Sequence, residues 1–300
     1  MDLHDLHSFE QNVGVPLMPS LIVNGAKIEY EDIGQGLPII LTPGGRSDMS
    51  TVRGLANHLS PNYRVIIYDR RNCGASDVVI SGALSESDIW AEDLNEMLKQ
   101  LGAYPAYVGG NSAGQRASLL LAIRHPEAVR GLLLWNITGG SVAAEQLGYN
   151  YYGQFIEIAE TYGMQGIIES DFFAERIKNN ASNLERLKSM DTQNFIDVMQ
   201  NWRSFFTADT PIIGATEAQL MKIDVPTVII PGTENDPVHP RTVGENLHKI
   251  LPNAELHPPI WSPEEYDTLR LEDPSAFQEI GHDRRAPIFL NFLTSINKSN

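Results

Sequence analysis

The residues best placed to do chemistry are Gly110-Asn111-Ser112-Ala113-Gly114, a G-x-S-x-G run. Residues 105–108 before it are strand-like, and residues 116–124 after it (Arg-Ala-Ser-Leu-Leu-Leu-Ala-Ile-Arg) read as a helix. A serine at the tip of such a strand–turn–helix elbow projects its hydroxyl clear of the sheet, where it can act as a nucleophile. Glycines two before and two after leave room where strand and helix backbones crowd together. The helix start contributes free N–H groups and a positive dipole end, suited to a developing oxyanion. The competing reading is a Gly-rich turn that happens to contain a serine. The strand and helix on either side weigh against it.

Several elements must position that serine. Apolar runs at 21–23, 27–32 and 37–41 predict three strands, with turns at Asn24-Gly25 and Gly34-Gln35-Gly36. A helix over 49–59, a buried strand over 64–68, an amphipathic helix over 86–101 and a strand over 129–135 follow. Strands alternating with helices predict an α/β fold, a doubly wound and mostly parallel eight-stranded sheet after an antiparallel start. Between Asn136 and Thr216 the strand-like runs vanish, and aromatic-rich helical patterns replace them. The division expected is a core of residues 1–136 and 216–300 with an inserted helical cap over 137–215. After the cap come a helix over 216–223, a strand over 227–230, a helix over 241–251, a short strand over 254–257 and a closing helix over 286–296. Residues 258–285 read as a long connection.

Composition narrows the function. The chain has 300 residues, 42% of them hydrophobic, and a formal net charge of −16. That suits a sizeable core and disfavours nucleic acid or an anionic membrane as partner, since both need clustered Lys and Arg. Cys73 is the only cysteine, so no intrachain disulfide can form and a reducing compartment fits. The first residues lack a basic start and an apolar run, so no signal peptide is expected. No window reaches the length of a membrane span, and a cytoplasmic location is expected. His4 and His7 could share a helix face as metal ligands, but a solvated terminal turn is the simpler reading.

Five features in order make the chain resemble an α/β-hydrolase-fold protein with a helical cap, from about residue 21 to the end. They are Pro43-Gly44-Gly45, the segment Tyr68 to Asp77, the Gly110 to Gly114 elbow, Gly232 to Asp236, and Gly281-His282. Two departures stand out: Pro43-Gly44 where the family usually has His-Gly, and Asn72 where it usually has Gly. The resemblance implies a catalytic triad in the order Ser, acid, His. Ser112 is then the nucleophile, and Asp236, in the loop after a strand, fits the acid better than Glu234 does. His282, preceded by Gly281, fits the base, with His257 as the rival, although the connection leading to His282 is long for the family. His239 reads as a turn residue beside the acid, His125 as structural and His248 as a helix-surface residue.

The oxyanion hole implied by the family falls on Ala113 and Gly45, with Gly44 one step away. Arg46, Asn111, Tyr152 and Trp202 are the expected substrate-binding residues. No metal or cofactor is expected, since no zinc signature, phosphate loop or dinucleotide fingerprint accompanies these elements. The resemblance implies a serine hydrolase cleaving an ester or lactone of a small, largely apolar molecule through an acyl-enzyme. Hydrolysis of a C–C bond in a vinylogous diketone is the alternative, and a non-catalytic small-molecule receptor is a third. Dehalogenase and epoxide-hydrolase relatives carry Asp at the elbow and are disfavoured. A homodimer is compatible with the sequence.

Overall fold

A computed structural model describes residues 18–298; His4 and His7 lie outside them. The strands are β1 Ser20–Val23, β2 Ala26–Ile33, β3 Pro38–Thr42, β4 Arg64–Tyr68, β5 Ala106–Asn111, β6 Val129–Trp135, β7 Thr227–Ile230 and β8 Ala254–Leu256. They form one eight-stranded sheet in the order β1-β2-β4-β3-β5-β6-β7-β8. β1, β2 and β4 pair antiparallel, and every pair from β4–β3 to β7–β8 is parallel. The first hairpin turns at Asn24 and Gly25, both at positive φ (45° and 79°), as a two-residue turn matched to strand twist requires. The central strands are unbroken apolar runs such as Ile39-Ile40-Leu41 and Val65-Ile66-Ile67, all 0% exposed because helices cover both faces.

The helices are α1 Ser50–Leu59, α2 Glu86–Gln100, α3 Ala113–Arg124, α4 Ser141–Gly148, α5 Gln154–Glu169, α6 Asp171–Asn179, α7 Ser182–Lys188, α8 Thr192–Ser204, α9 Glu217–Leu220, α10 Arg241–Ile250, α11 Pro263–Glu272 and α12 Pro274–Lys298. α1 and α12 enclose one apolar core, in which Leu55, Leu59 and Phe289 meet Ile39, Leu41 and Ile67. α2, α3 and α10 enclose the other, in which Leu94, Leu98, Leu119 and Leu247 meet Ile40, Ile66 and Val108. Turning 180° from residue to residue, the central strands β3 to β7 feed both cores alternately.

Every named element between β6 and β7 is helical, and a π-helical turn at Tyr149–Gly153 joins α4 to α5. These helices share a third core of Tyr152, Phe155, Phe173, Phe195 and Trp202, to which Val78 and Ile80 also contribute. Buried polar bonds fasten this layer to the sheet domain. The Tyr152 hydroxyl donates to Glu86 Oε2 at 2.9 Å, and Arg176 donates to the carbonyls of Arg46 (2.7 Å) and Asn72 (3.1 Å). Asn183 accepts from the Val78 N–H at 2.8 Å.

The connection expected over 258–285 is instead mostly helical. Ser262 and Glu265 form a reciprocal capping box, and Pro263 sits in the first turn, where its missing N–H costs nothing. Asp273 caps the next start through Ala276 N–H (2.9 Å), and α12 then runs through Pro287 to Lys298. The helix expected from 286 therefore begins twelve residues earlier, at Pro274, and His282 lies inside it rather than in a loop.

Candidate active site

β5 delivers the chain to Ser112, which caps α3 at φ 51°, ψ −110°. A non-glycine residue at positive φ costs about 1–3 kcal/mol, and the surrounding packing must hold it. A Cβ on Gly110 would lie 2.4 Å from the Gly114 carbonyl group, and one on Gly114 would lie 2.3 Å from the Thr42 carbonyl oxygen. Both elbow glycines are therefore there for close backbone approach. Ser112 is 7% exposed and faces a cavity of about 410 Å³.

The Ser112 hydroxyl meets His239, not His282. His239 Nε2 lies 2.7 Å from Ser112 Oγ, and His239 Nδ1 lies 2.8 Å from Asp236 Oδ2. Thr138 Oγ1 is 3.2 Å from Ser112 Oγ on another side. Asp236 and His239 sit three residues apart in the loop between β7 and α10. Asp236 Oδ1 accepts the N–H groups of Val238 and His239, both at 3.0 Å, closing a tight side-chain turn. Gly232 makes that turn possible: a Cβ there would stand 2.0 Å from the His239 carbonyl oxygen.

Asp236 Oδ2 takes a second donor, the Tyr266 hydroxyl of α11, at 2.7 Å. Burial by itself would raise the carboxyl pKa. The hydrogen bond and charge of His239, followed by the Tyr266 bond, outweigh burial and hold it well below the usual carboxylate range. The same contact acts oppositely on Tyr266, where burial and then the Asp236 bond push the phenol up. Tyr266 is thus a fixed donor and Asp236 a fixed anion.

The α/β-hydrolase-fold family model matches residues 38–161. The sheet order and flanking helices are those of the α/β-hydrolase fold. It is 38% identical over 116 residues to the uncharacterized hydrolase YraK of Bacillus subtilis, a match covering 38% of this chain and 42% of that protein. It is 27% identical over 252 residues to 2-hydroxy-6-oxononadienedioate/2-hydroxy-6-oxononatrienedioate hydrolase 2 of Pseudomonas putida, covering 77% of this chain and 82% of that one. Among solved structures, the enol-lactonase of Burkholderia xenovorans superposes with TM-score 0.60 at 21% identity, over 92% of this chain and 100% of that one.

Within that fold the chain has the elbow but places its other polar groups in its own way. His282, expected as the base, packs against Gly54 of α1 and makes no hydrogen bond among the described residues. It lines the Ser112 cavity, and burial, then the nearby Arg285, push its imidazole down to about 4. His257 directly follows β8, with Nδ1 2.8 Å from the Pro258 carbonyl oxygen, and it does not line the cavity. Glu234 pairs with Arg241 at 2.9 Å on the surface. His125 binds Glu92 at 2.9 Å.

The expected oxyanion donors are Ala113, directly after Ser112, and Gly45. Ala113 is the first residue of α3, whose N–H has no partner within the helix, and Gly45, at φ 48°, lines the cavity. Arg70, stacked 4.3 Å from the Trp90 ring centroid, holds the Gly45 carbonyl at 2.6 Å and so orients that peptide. Of the expected substrate-binding residues, Asn111 lines the cavity and accepts from Asn136 at 2.8 Å.

Arg46, Tyr152 and Trp202 do not line the cavity. Arg46 is committed to Glu86 at 2.6 Å, within an aromatic box of Tyr151, Tyr152 and Phe172. Tyr152 donates to the same Glu86, and Trp202 Nε1 donates to the Leu84 carbonyl at 3.1 Å. Tyr151 takes the wall position expected of its neighbour. Asn72, the departure from the family's glycine, adopts φ 67° and spends its side chain on Glu86 (2.8 Å) and the Val79 N–H (2.7 Å). An asparagine tolerates that left-handed conformation.

His239 and Tyr266 are the two site residues that sequence reading missed. A signal for His239 was present in Asp236-Pro237-Val238-His239-Pro240, an acid and an imidazole bracketed by two prolines that fix the backbone.

Proposed function

We propose that this hydrolase is a serine hydrolase whose triad is Ser112, His239 and Asp236, acting on an ester or lactone of a small molecule. The observation that carries the reading is the unbroken relay from Asp236 Oδ2 to His239 Nδ1 (2.8 Å) and from His239 Nε2 to Ser112 Oγ (2.7 Å). A serine hydroxyl becomes a useful nucleophile only when a base takes its proton, and that base must be held in the right tautomer. Asp236, kept anionic, accepts a hydrogen bond from Nδ1–H and leaves Nε2 free to accept the proton of Ser112.

In this reading Ser112 Oγ attacks the carbonyl carbon as His239 Nε2 takes the proton. The N–H groups of Ala113 and Gly45 receive the charge that builds on oxygen. His239 then gives its proton to the departing alkoxide, and an acyl-enzyme remains on Ser112. A water, deprotonated by His239, releases the acid. The helices over residues 137–215 would act as the lid that excludes bulk water, with Leu147 and Tyr151 facing the reaction.

C–C bond hydrolysis is the second reading, favoured by the 27% identical relative that spans most of the chain. It uses the same serine and base. A fluorophosphonate probe followed by mass spectrometry tests the common core. Ser112 should carry the adduct, and Ser112→Ala and His239→Ala should not react. Labelling of both variants at the wild-type rate would remove the serine-hydrolase reading. Turnover of short-chain nitrophenyl esters and lactones, against a vinylogous diketone, then separates the two chemistries.

A further inference from the structure

The wall of the cavity formed by α12 carries a cation with nothing to neutralise it. Arg285 is 7% exposed, lines the Ser112 cavity, and makes no hydrogen bond or ion pair among the described residues. Its Nε is buried without a partner, and burial alone pushes the guanidinium down to about 10. One turn earlier on the same helix face, His282 presents two further buried ring nitrogens without partners to the same space. Gly281 leaves room for the Arg285 guanidinium, since a Cβ there would sit 2.6 Å from its Nη1. Two polar side chains, each more than nine-tenths buried, thus converge on one wall.

Most other buried arginines have partners; Arg116, whose guanidinium nitrogens are also unpaired among the described residues, lies away from the Ser112 cavity. Arg46 has Glu86, Arg71 has Asp93 at 2.8 Å, and Arg70 has the carbonyls of Gly44 and Gly45. Arg116 faces the Phe206 ring at 5.2 Å and does not line the cavity. Arg285 alone of these is both unpaired and part of the wall of the Ser112 cavity. The only acidic residue lining the cavity is Asp236, already saturated by four donors. A buried charge without a partner is retained at a cost, so its counter-ion is expected from outside the chain. Arg270, exposed at the rim and stacked 5.1 Å from the Tyr266 ring centroid, adds a second positive group on the way in. In a chain of net charge −16 these cations also offset the repulsion an anion would meet at the surface.

We propose that the α12 wall is a carboxylate subsite, in which Arg285 binds a free carboxylate of the substrate and His282 donates beside it. The substrate is then an ester or lactone that carries an acid group a few bonds from the carbonyl attacked by Ser112. This deepens the serine-hydrolase reading and rests on it. Guanidinium and carboxylate match as a planar two-point pair, which would fix the substrate end-on between α12 and the elbow.

The test compares 4-nitrophenyl hydrogen adipate with 4-nitrophenyl hexanoate, which match in chain length and differ in one carboxylate. The wild-type enzyme should prefer the acid by at least about tenfold in kcat/KM at low salt. Arg285→Gln should lower that preference at least tenfold, and Arg285→Lys should restore part of it. Gly281→Ala, which displaces the guanidinium, should lower it without touching the charge. A wild-type preference of one or less overturns the subsite whether or not the variants fold, and so does a preference that survives Arg285→Gln. Failure of the serine reading is seen separately, as no fluorophosphonate adduct on Ser112. In that case calorimetric titration of Ser112→Ala with adipate, against neutral adipamide, still reads the subsite. Adipate must bind more tightly and lose that advantage in Ser112→Ala/Arg285→Gln, or the inference falls.

Discussion

Asp236 and His239 face each other from opposite ends of a single turn, with Oδ2 and Nδ1 2.8 Å apart and only Pro237 and Val238 between them in the chain. The proposed acid and base are therefore placed by one loop between β7 and α10, and only Ser112 arrives from elsewhere. His239→Ala should lower kcat/KM by about 1000-fold or more, close to the effect of Ser112→Ala. His282→Ala should cost within about tenfold and keep Ser112 reactive towards fluorophosphonate. Rate measurements on the two variants decide it, and an inactive His282→Ala beside an active His239→Ala would return the base to α12.

Gly232 should be as sensitive as a triad member without touching substrate. A methyl group there would meet the His239 carbonyl oxygen at 2.0 Å and force the turn apart. Gly232→Ala is expected to fold, with a melting temperature a few degrees lower, yet to lose at least about 100-fold in kcat. Wild-type kcat in this variant would mean that the turn tolerates a different geometry.

Tyr266→Phe removes one of the two donors to Asp236 Oδ2. A hydrogen bond to a charged group contributes about 1.5–3 kcal/mol, and part of it here serves to hold the carboxylate against His239. Turnover at neutral pH should fall about tenfold, and Ser112 should acylate more slowly with a fluorophosphonate. An unchanged acylation rate would leave Tyr266 as packing only.

His282 should leave a signature in stability against pH. Its imidazole titrates near 4 in the folded chain against an ordinary value of 6.5, because burial and the adjacent Arg285 disfavour the cation. The unfolded chain therefore binds the proton first. The contribution is fully present above about pH 6.5 and is lost as pH falls towards 4. Urea midpoints measured from pH 7 to 4.5 should drop more steeply for the wild type than for His282→Gln. Parallel curves would place His282 in contact with water.

The sheet, its order of strands and helices, and the elbow were legible because they are written in short-range patterns. Ile39-Ile40-Leu41 and Val65-Ile66-Ile67 can only be strands covered on both faces, and Gly110 and Gly114 stand where backbone crowds backbone. The base was not legible by the same means. Asp236 to His239 reads as a Pro-bracketed turn, and whether its imidazole points at Ser112 depends on contacts far away in sequence, such as Tyr266 on the acid. Residues 258–285 were missed for a related reason. Their helices are capped locally by Ser262 with Glu265, but α11 has only Tyr266 fully buried, so little apolar periodicity marks it. Arg46 and Tyr152 were expected at the substrate because their types suit recognition. Their actual partner, Glu86, stands at the start of α2, where it looks like an ordinary first-turn acid.

The polar fastening of the α4–α8 layer has a bearing on traffic. Glu86, Arg176 and Asn183 rivet that layer to the loops before α1 and α2 through bonds that water does not reach. Swinging the whole layer away would sever several of them at once, three involving charged groups at about 1.5–3 kcal/mol each. The opposite margin, between α4 and the α11–α12 junction, has no such rivets: Arg270 and Gln278 stand exposed at the cavity mouth there. Molecules should therefore enter and leave past the junction of the last two helices, beside the exposed Arg270 and Gln278.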